Sequence, residues 1–237
     1  MSLNPLIVRV SPKKVTIGLS ILVFLFTVAG VAVQVAKYVF DYRQEWTRLF
    51  NLDRELNYPS TYATLTLFVC AFLLMLIANY KKQEKDRFAR HWKILAIVFV
   101  CFAIDEAFSI HEILIIKDLR KALNLGGIFY FVWVIPGTLF VGWFCWTYWK
   151  FFWHLPRRSR LLFFLAGASY VGGALGGEMV SGFYADLEGA NNLIYGLIVC
   201  AEEVLEMVGV IILINALLTY LRLYLQEISI QLKLCDD

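Results

Sequence analysis

Apolar residues run through this chain in long blocks rather than in the short alternations of a soluble fold. Six blocks stand out, at residues 15–40, 60–80, 94–116, 128–151, 161–183 and 193–221. A helix rises 1.5 Å per residue, so about 20 apolar residues cross a hydrocarbon core of ~30 Å. The pattern therefore predicts an all-α, six-helix transmembrane bundle forming a single integral membrane domain over residues 1–237. Turn and charge signals fall at the joints. Tyr58-Pro59-Ser60 opens the second helix, and Lys81 to Arg87 separates the second from the third. Asn124-Leu125-Gly126-Gly127 precedes the fourth, Leu155-Pro156-Arg157-Arg158 separates the fourth from the fifth, and Asp186 to Asn192 precedes the last. Proline lacks the amide hydrogen that a helix interior needs, and glycine tolerates tight turns, so both mark boundaries.

Two segments break the block pattern. In residues 41–57, Trp46, Leu49, Phe50, Leu52 and Leu56 alternate with charges, which predicts a short amphipathic helix on the outer surface. The tail after Arg222 also alternates apolar and polar residues and reads as a second interfacial segment. The N-terminal run is long enough to span and carries no small-residue cleavage site, so it reads as a retained first helix.

Composition strengthens the membrane reading. Hydrophobic residues make up 60% of the 237, charged residues only 17%, and mean hydropathy is +0.66. Soluble domains hold about 45–50% apolar and about 25% charged residues. A net charge of +3 with no basic stripe gives no footing for nucleic-acid binding. The basic residues do set an orientation. Fifteen of the 22 fall on the side shared by both termini, including Lys13, Lys14, Lys81, Lys93, Arg157 and Arg160. The positive-inside rule then places both termini in the cytoplasm. The five cysteines are odd in number and form no CxxC, so they read as small buried apolar groups and not as a disulfide framework.

The blocks contain an energetic anomaly. Asp105, Glu106, Glu112, Glu178, Glu202, Glu203 and Glu206 lie inside them, with no lysine or arginine placed among them. A carboxylate at the bilayer centre costs about 2.5–3.5 kcal/mol on insertion scales. Such groups must be protonated, share a cation or line water. At 100° per residue, Asp105, Ser109 and Glu112 form one stripe with Glu106 at its edge, while His111 points about 120° away from Asp105. Glu202 and Glu206 share a face of the last helix, flanked by Glu203 and continued by Gly209. In the fifth helix, Ala168, Gly172 and Gly176 form one small-residue series and Ser169, Gly173 and Gly177 another, just before Glu178. Small residues let helices approach closely.

This oxygen-rich, nitrogen-poor set suits protons relayed between carboxyls or a hard divalent cation (calcium, magnesium or manganese), with Asp105, Glu202 and Glu206 as the candidate metal ligands. Glu106, Ser109, Glu112, Glu178 and Glu203 are the supporting ion- or proton-binding candidates. Zinc would want histidine or cysteine, and a di-iron bundle would carry Glu-x-x-His, which this chain lacks. The aromatic-rich fourth helix reads as an interfacial belt, with Pro136-Gly137 in mid-span as a kink. No phosphate loop or nucleophile elbow is visible. The expectation is a cation or proton transporter or channel embedded in the lipid bilayer. The alternatives are a membrane-embedded metal-dependent enzyme acting on lipid, or an accessory subunit of a membrane complex. The acids also admit a purely structural reading, as protonated carboxyls hydrogen-bonded between helices.

Overall fold

The computed structural model describes residues 10–54, 56–113, 120 and 122–224, with backbone only at 112 and 113. The protein is all-helical over this range. The helices are α1 (Pro12–Val39), α2 (Tyr58–Gln83), α3 (Ala89–Phe108), α4 (Ile110–Ile113), α5 (Val134–His154), α6 (Arg157–Glu188) and α7 (Leu193–Tyr224). Three of them, α1, α2 and α6, are long and apolar enough to cross a membrane. On α1, Ile17, Ile21, Leu22, Phe24, Leu25 and Val28 are between 42% and 66% exposed. An apolar face of that extent is unfavourable in water and suits lipid.

Helix α7 is the hub, packing against α1, α2 and α6. Its Met207, Ile214 and Leu217 are almost wholly buried. Glycines set the close approaches. A Cβ on Gly209 would lie 2.6 Å from the backbone nitrogen of Tyr170, and one on Gly196 would strike the buried Gln34 of α1. The hairpin of α2 and α3 adds Leu74, Ile77, Trp92 and Ala103 to the same buried cluster as Val210, Ile214 and Leu217 of α7. Asn57 starts α2 through a reciprocal cap: its side chain accepts from the Ser60 amide at 2.9 Å, and Ser60 Oγ accepts from the Asn57 amide at 3.1 Å. Such caps satisfy amides that the first turn leaves unpaired. At the far end of α2, Lys81 donates to Glu84 at 2.8 Å. That bond, helped by the Tyr80 hydroxyl, holds the Glu84 carboxyl below the usual carboxylate range.

Four local features differ from the sequence reading. The third helix stops at Phe108 and does not run to 116, because Ser109 turns left-handed at φ 47°, ψ 45°. Helix α5 begins at Val134, so Pro136 lies in its first turn, where a missing amide hydrogen costs nothing and no mid-span kink arises. Within α6, Gly172–Gly177 forms a π-helical turn. Among the described residues of 41–57, the helix is a 3-10 helix at Glu45–Phe50, and a folded loop follows it.

Candidate functional site

The break at Ser109 builds the first wall. The Ser109 amide bonds back to the Asp105 carbonyl, and the chain restarts as α4 at Ile110. The Asp105 carboxylate then closes the corner. Its Oδ1 accepts the His111 amide at 2.9 Å, and its Oδ2 lies 2.9 Å from His111 Nδ1. The His111 ring packs on Trp133, with centroids 5.1 Å apart. His111 therefore belongs with the acids. The 120° offset fails because a helical wheel assumes an unbroken helix.

The second wall is the contact between α6 and α7. Ser169 donates to the Leu205 carbonyl at 2.7 Å, and Gly173 and Gly177 continue the same face. A Cβ on Gly173 would meet the Glu202 carbonyl oxygen at 2.7 Å, and one on Gly177 would meet Glu202 Cγ at 2.6 Å. The parallel series behaves differently: a Cβ on Gly172 or Gly176 would find nothing within 4 Å. Only one of the two small-residue series makes the close contact, and it is the one that seats Glu202 and Glu206 against α6. Ser181 Oγ donates to Glu202 Oε2 at 3.3 Å, and Trp133 Nε1 donates to Glu178 Oε1 at 3.2 Å.

These walls border a half-open cavity of about 250 Å³. Asp105, Glu106, Glu178, Glu202, Glu203 and Glu206 all line it. Glu202 is the most withdrawn, at 8% exposure. Ser109 shapes the corner but is not among the lining residues, and the side chain of Glu112 lies outside the described residues. A smaller space of about 10 Å³ shares Glu106, Tyr170, Glu203 and Glu206 with the cavity and reaches Leu67 and Val210.

Sequence reasoning missed two sets of lining residues. The first is the pair Asp53 and Arg54. They enter on the loop after the 3-10 helix, where no periodicity points inward. The loop is anchored on both sides. Leu52 fills the notch beside Gly30, where a Cβ would lie 2.5 Å from Leu52 Cδ1. Gln34 Nε2 donates to Asn51 Oδ1 at 2.7 Å, and Asn57 Nδ2 donates to the carbonyls of Asn51, at 2.7 Å, and Arg54. The Asn51 and Asn57 side chains were the available signal, since asparagine recurs where loops bond to their own backbone. Arg54 thus brings to the acids a positive charge that a reading of the apolar blocks alone leaves out. The second set is aromatic: Phe102, Phe131, Trp133, Phe140, Tyr170 and Tyr195 share the cavity wall.

Among the described residues, no group of three or more His, Cys, Asp or Glu side chains is arranged to hold a metal ion. Asp105, Glu202 and Glu206 line one space without forming a three-carboxylate metal centre. Residues 15–221 match the model of a family described as "Domain of unknown function (DUF8692)". No curated protein and no solved structure matches the chain.

Proposed function

The chain belongs to that family, and we propose that it is a multi-pass membrane protein whose carboxylate-lined cavity binds a cation or relays protons as part of a transport pathway. In this reading six segments span the bilayer, the third as the helix that ends at Phe108, with both termini on the cytoplasmic side. One observation carries the proposal: six acids from α3, α6 and α7 line a single cavity of about 250 Å³. Intramembrane acids usually face a bundle interior or water, where they mark ion and proton routes. A small space adjoins the cavity on its Glu106 and Glu206 side. It is large enough for about one water and is bordered by Glu106, Glu203 and Glu206 again.

The roles follow from position. Glu202, the least exposed of the acids, is the innermost cation or proton acceptor, with Ser181 orienting one oxygen. Asp105 fixes His111 at the wall, where an imidazole can exchange a proton. Arg54 and Asp53 stand on a non-helical part of the lining and would screen what enters. A calcium, magnesium or manganese ion remains the hard-cation form of the same proposal, held by the cavity as a whole.

The test is flux in reconstituted vesicles. Wild-type protein should show transport that depends on pH or on the cation gradient. The double substitution Asp105→Asn with Glu206→Gln should lose most of it while the protein still assembles. Unchanged flux in the double variant would sink the proposal.

A further inference from the structure

We propose that the cation this cavity takes is a small organic ammonium ion and not a bare metal ion; the inference rests on the cation reading above. The observation behind it is the composition of the wall. Six aromatic residues share the lining of about 250 Å³ with seven acids, Asp53 among them, and with Arg54 as the one lysine or arginine in the lining. Phe102 lies at the centre of the aromatic side, stacked on Tyr170 at 5.8 Å and 22° and edge-on to Phe140 at 6.4 Å. Trp133 is fixed beside the acids by its bond to Glu178 and its packing on His111.

The chemistry of the two cation classes separates them. A hard metal ion needs six or more oxygen ligands for calcium, or an octahedral shell for magnesium, and aromatic carbons cannot replace lost water. Among the described residues, no three acidic, histidine or cysteine side chains are arranged to begin such a shell. An alkylated ammonium ion asks for the opposite. Its charge is spread over carbon-bound hydrogens and weakly hydrated, so ring faces attract it and apolar surface suits its methylenes. Carboxylates nearby then neutralise it without direct coordination. A cavity with a few polar groups in a mainly apolar and aromatic wall is the usual form of a small-molecule site.

The experiment is calorimetric titration of the purified full chain in detergent with tetramethylammonium and choline, and in parallel with calcium, magnesium and manganese chlorides. The expected result is saturable binding of the organic ions that Glu202→Gln weakens. Phe102→Leu with Phe140→Leu should weaken it about 5–30-fold, the range for losing one to two cation–π contacts. Phe102→Tyr with Phe140→Tyr keeps the rings and should restore it, which separates ring chemistry from loss of fold. Tetrabutylammonium, too bulky for the space, should not bind. Binding of metal ions or proton uptake without ammonium binding would overturn this inference and leave the cation reading standing. Equal ammonium affinity in the leucine and wild-type proteins would also overturn it. Absence of binding by every ion, with no proton uptake, would overturn both.

Discussion

Adding one methyl group at either of two adjacent glycines should have opposite effects. At Gly173 a Cβ would lie 2.7 Å from the Glu202 carbonyl oxygen, 2.7 Å from Glu206 Cγ and 3.0 Å from the Glu206 amide nitrogen. Two of those atoms are helix backbone and cannot rotate away, so α6 and α7 must separate. Overpacking of this kind costs about 1–3 kcal/mol. At Gly172 a Cβ would meet nothing within 4 Å, and its backbone is right-handed at φ −64°, ψ −38°. Alanine there removes the conformational freedom of glycine without a clash, a gain of about 0.5–1 kcal/mol. The two variants should therefore differ by roughly 1.5–4 kcal/mol. Denaturant-induced unfolding in mixed micelles, followed by tryptophan fluorescence, reads that difference directly. Gly173→Ala should also disturb the carboxyls of Glu202 and Glu206, so the flux proposed above should fall further than the loss of stability explains. Equal midpoints for Gly172→Ala and Gly173→Ala would refute the packing of α6 on α7 described above.

Two further outcomes test the corner and the loop. Ser109→Gly should be neutral or stabilising by up to ~1 kcal/mol, since a left-handed residue with a side chain carries about 1–2 kcal/mol of steric cost. Ser109→Ile should instead destabilise, and the same unfolding assay distinguishes a broken helix from a continuous one, which would favour neither change. Asn57→Ala should cost about 2–3 kcal/mol, because it removes a helix cap and strips the donor from two loop carbonyls. Asn57→Asp keeps the cap acceptor but not the amide donor, so its unfolding midpoint should fall between the two.

The helical content was legible because long apolar blocks leave few alternatives. The acids were legible because charge within such blocks is costly. What escaped the sequence were departures from regular geometry. His111 was placed on the wrong side by a wheel that ran through Ser109, and nothing in Ser-Ile-His marks a left-handed turn as Gly would. The two glycine series looked equivalent, since periodicity cannot say which face a neighbouring helix will meet. Arg54 lay hidden in a segment read as a surface helix. Its route to the cavity depends on Leu52 finding the notch at Gly30, a contact between residues on different elements. The aromatic lining was invisible for a similar reason: Phe102, Phe140, Tyr170 and Tyr195 stand on four helices and meet only when those helices pack.

The wide turn at Gly172–Gly177 makes the alignment of α6 a matter of residue count. A π turn closes hydrogen bonds one residue later than an α turn, so it acts as a one-residue insertion. Everything before it, including Ser169, and everything after it, including Glu178 and Ser181, is set in register by that extra residue. Straightening the turn to ordinary helix with every residue kept would rotate the downstream half by about 100°. Glu178 would then leave Trp133, and Ser181 would leave Glu202. Deleting one residue along with the straightening would return both halves to register, so in related chains a one-residue gap in this stretch should accompany an unbroken α-helix.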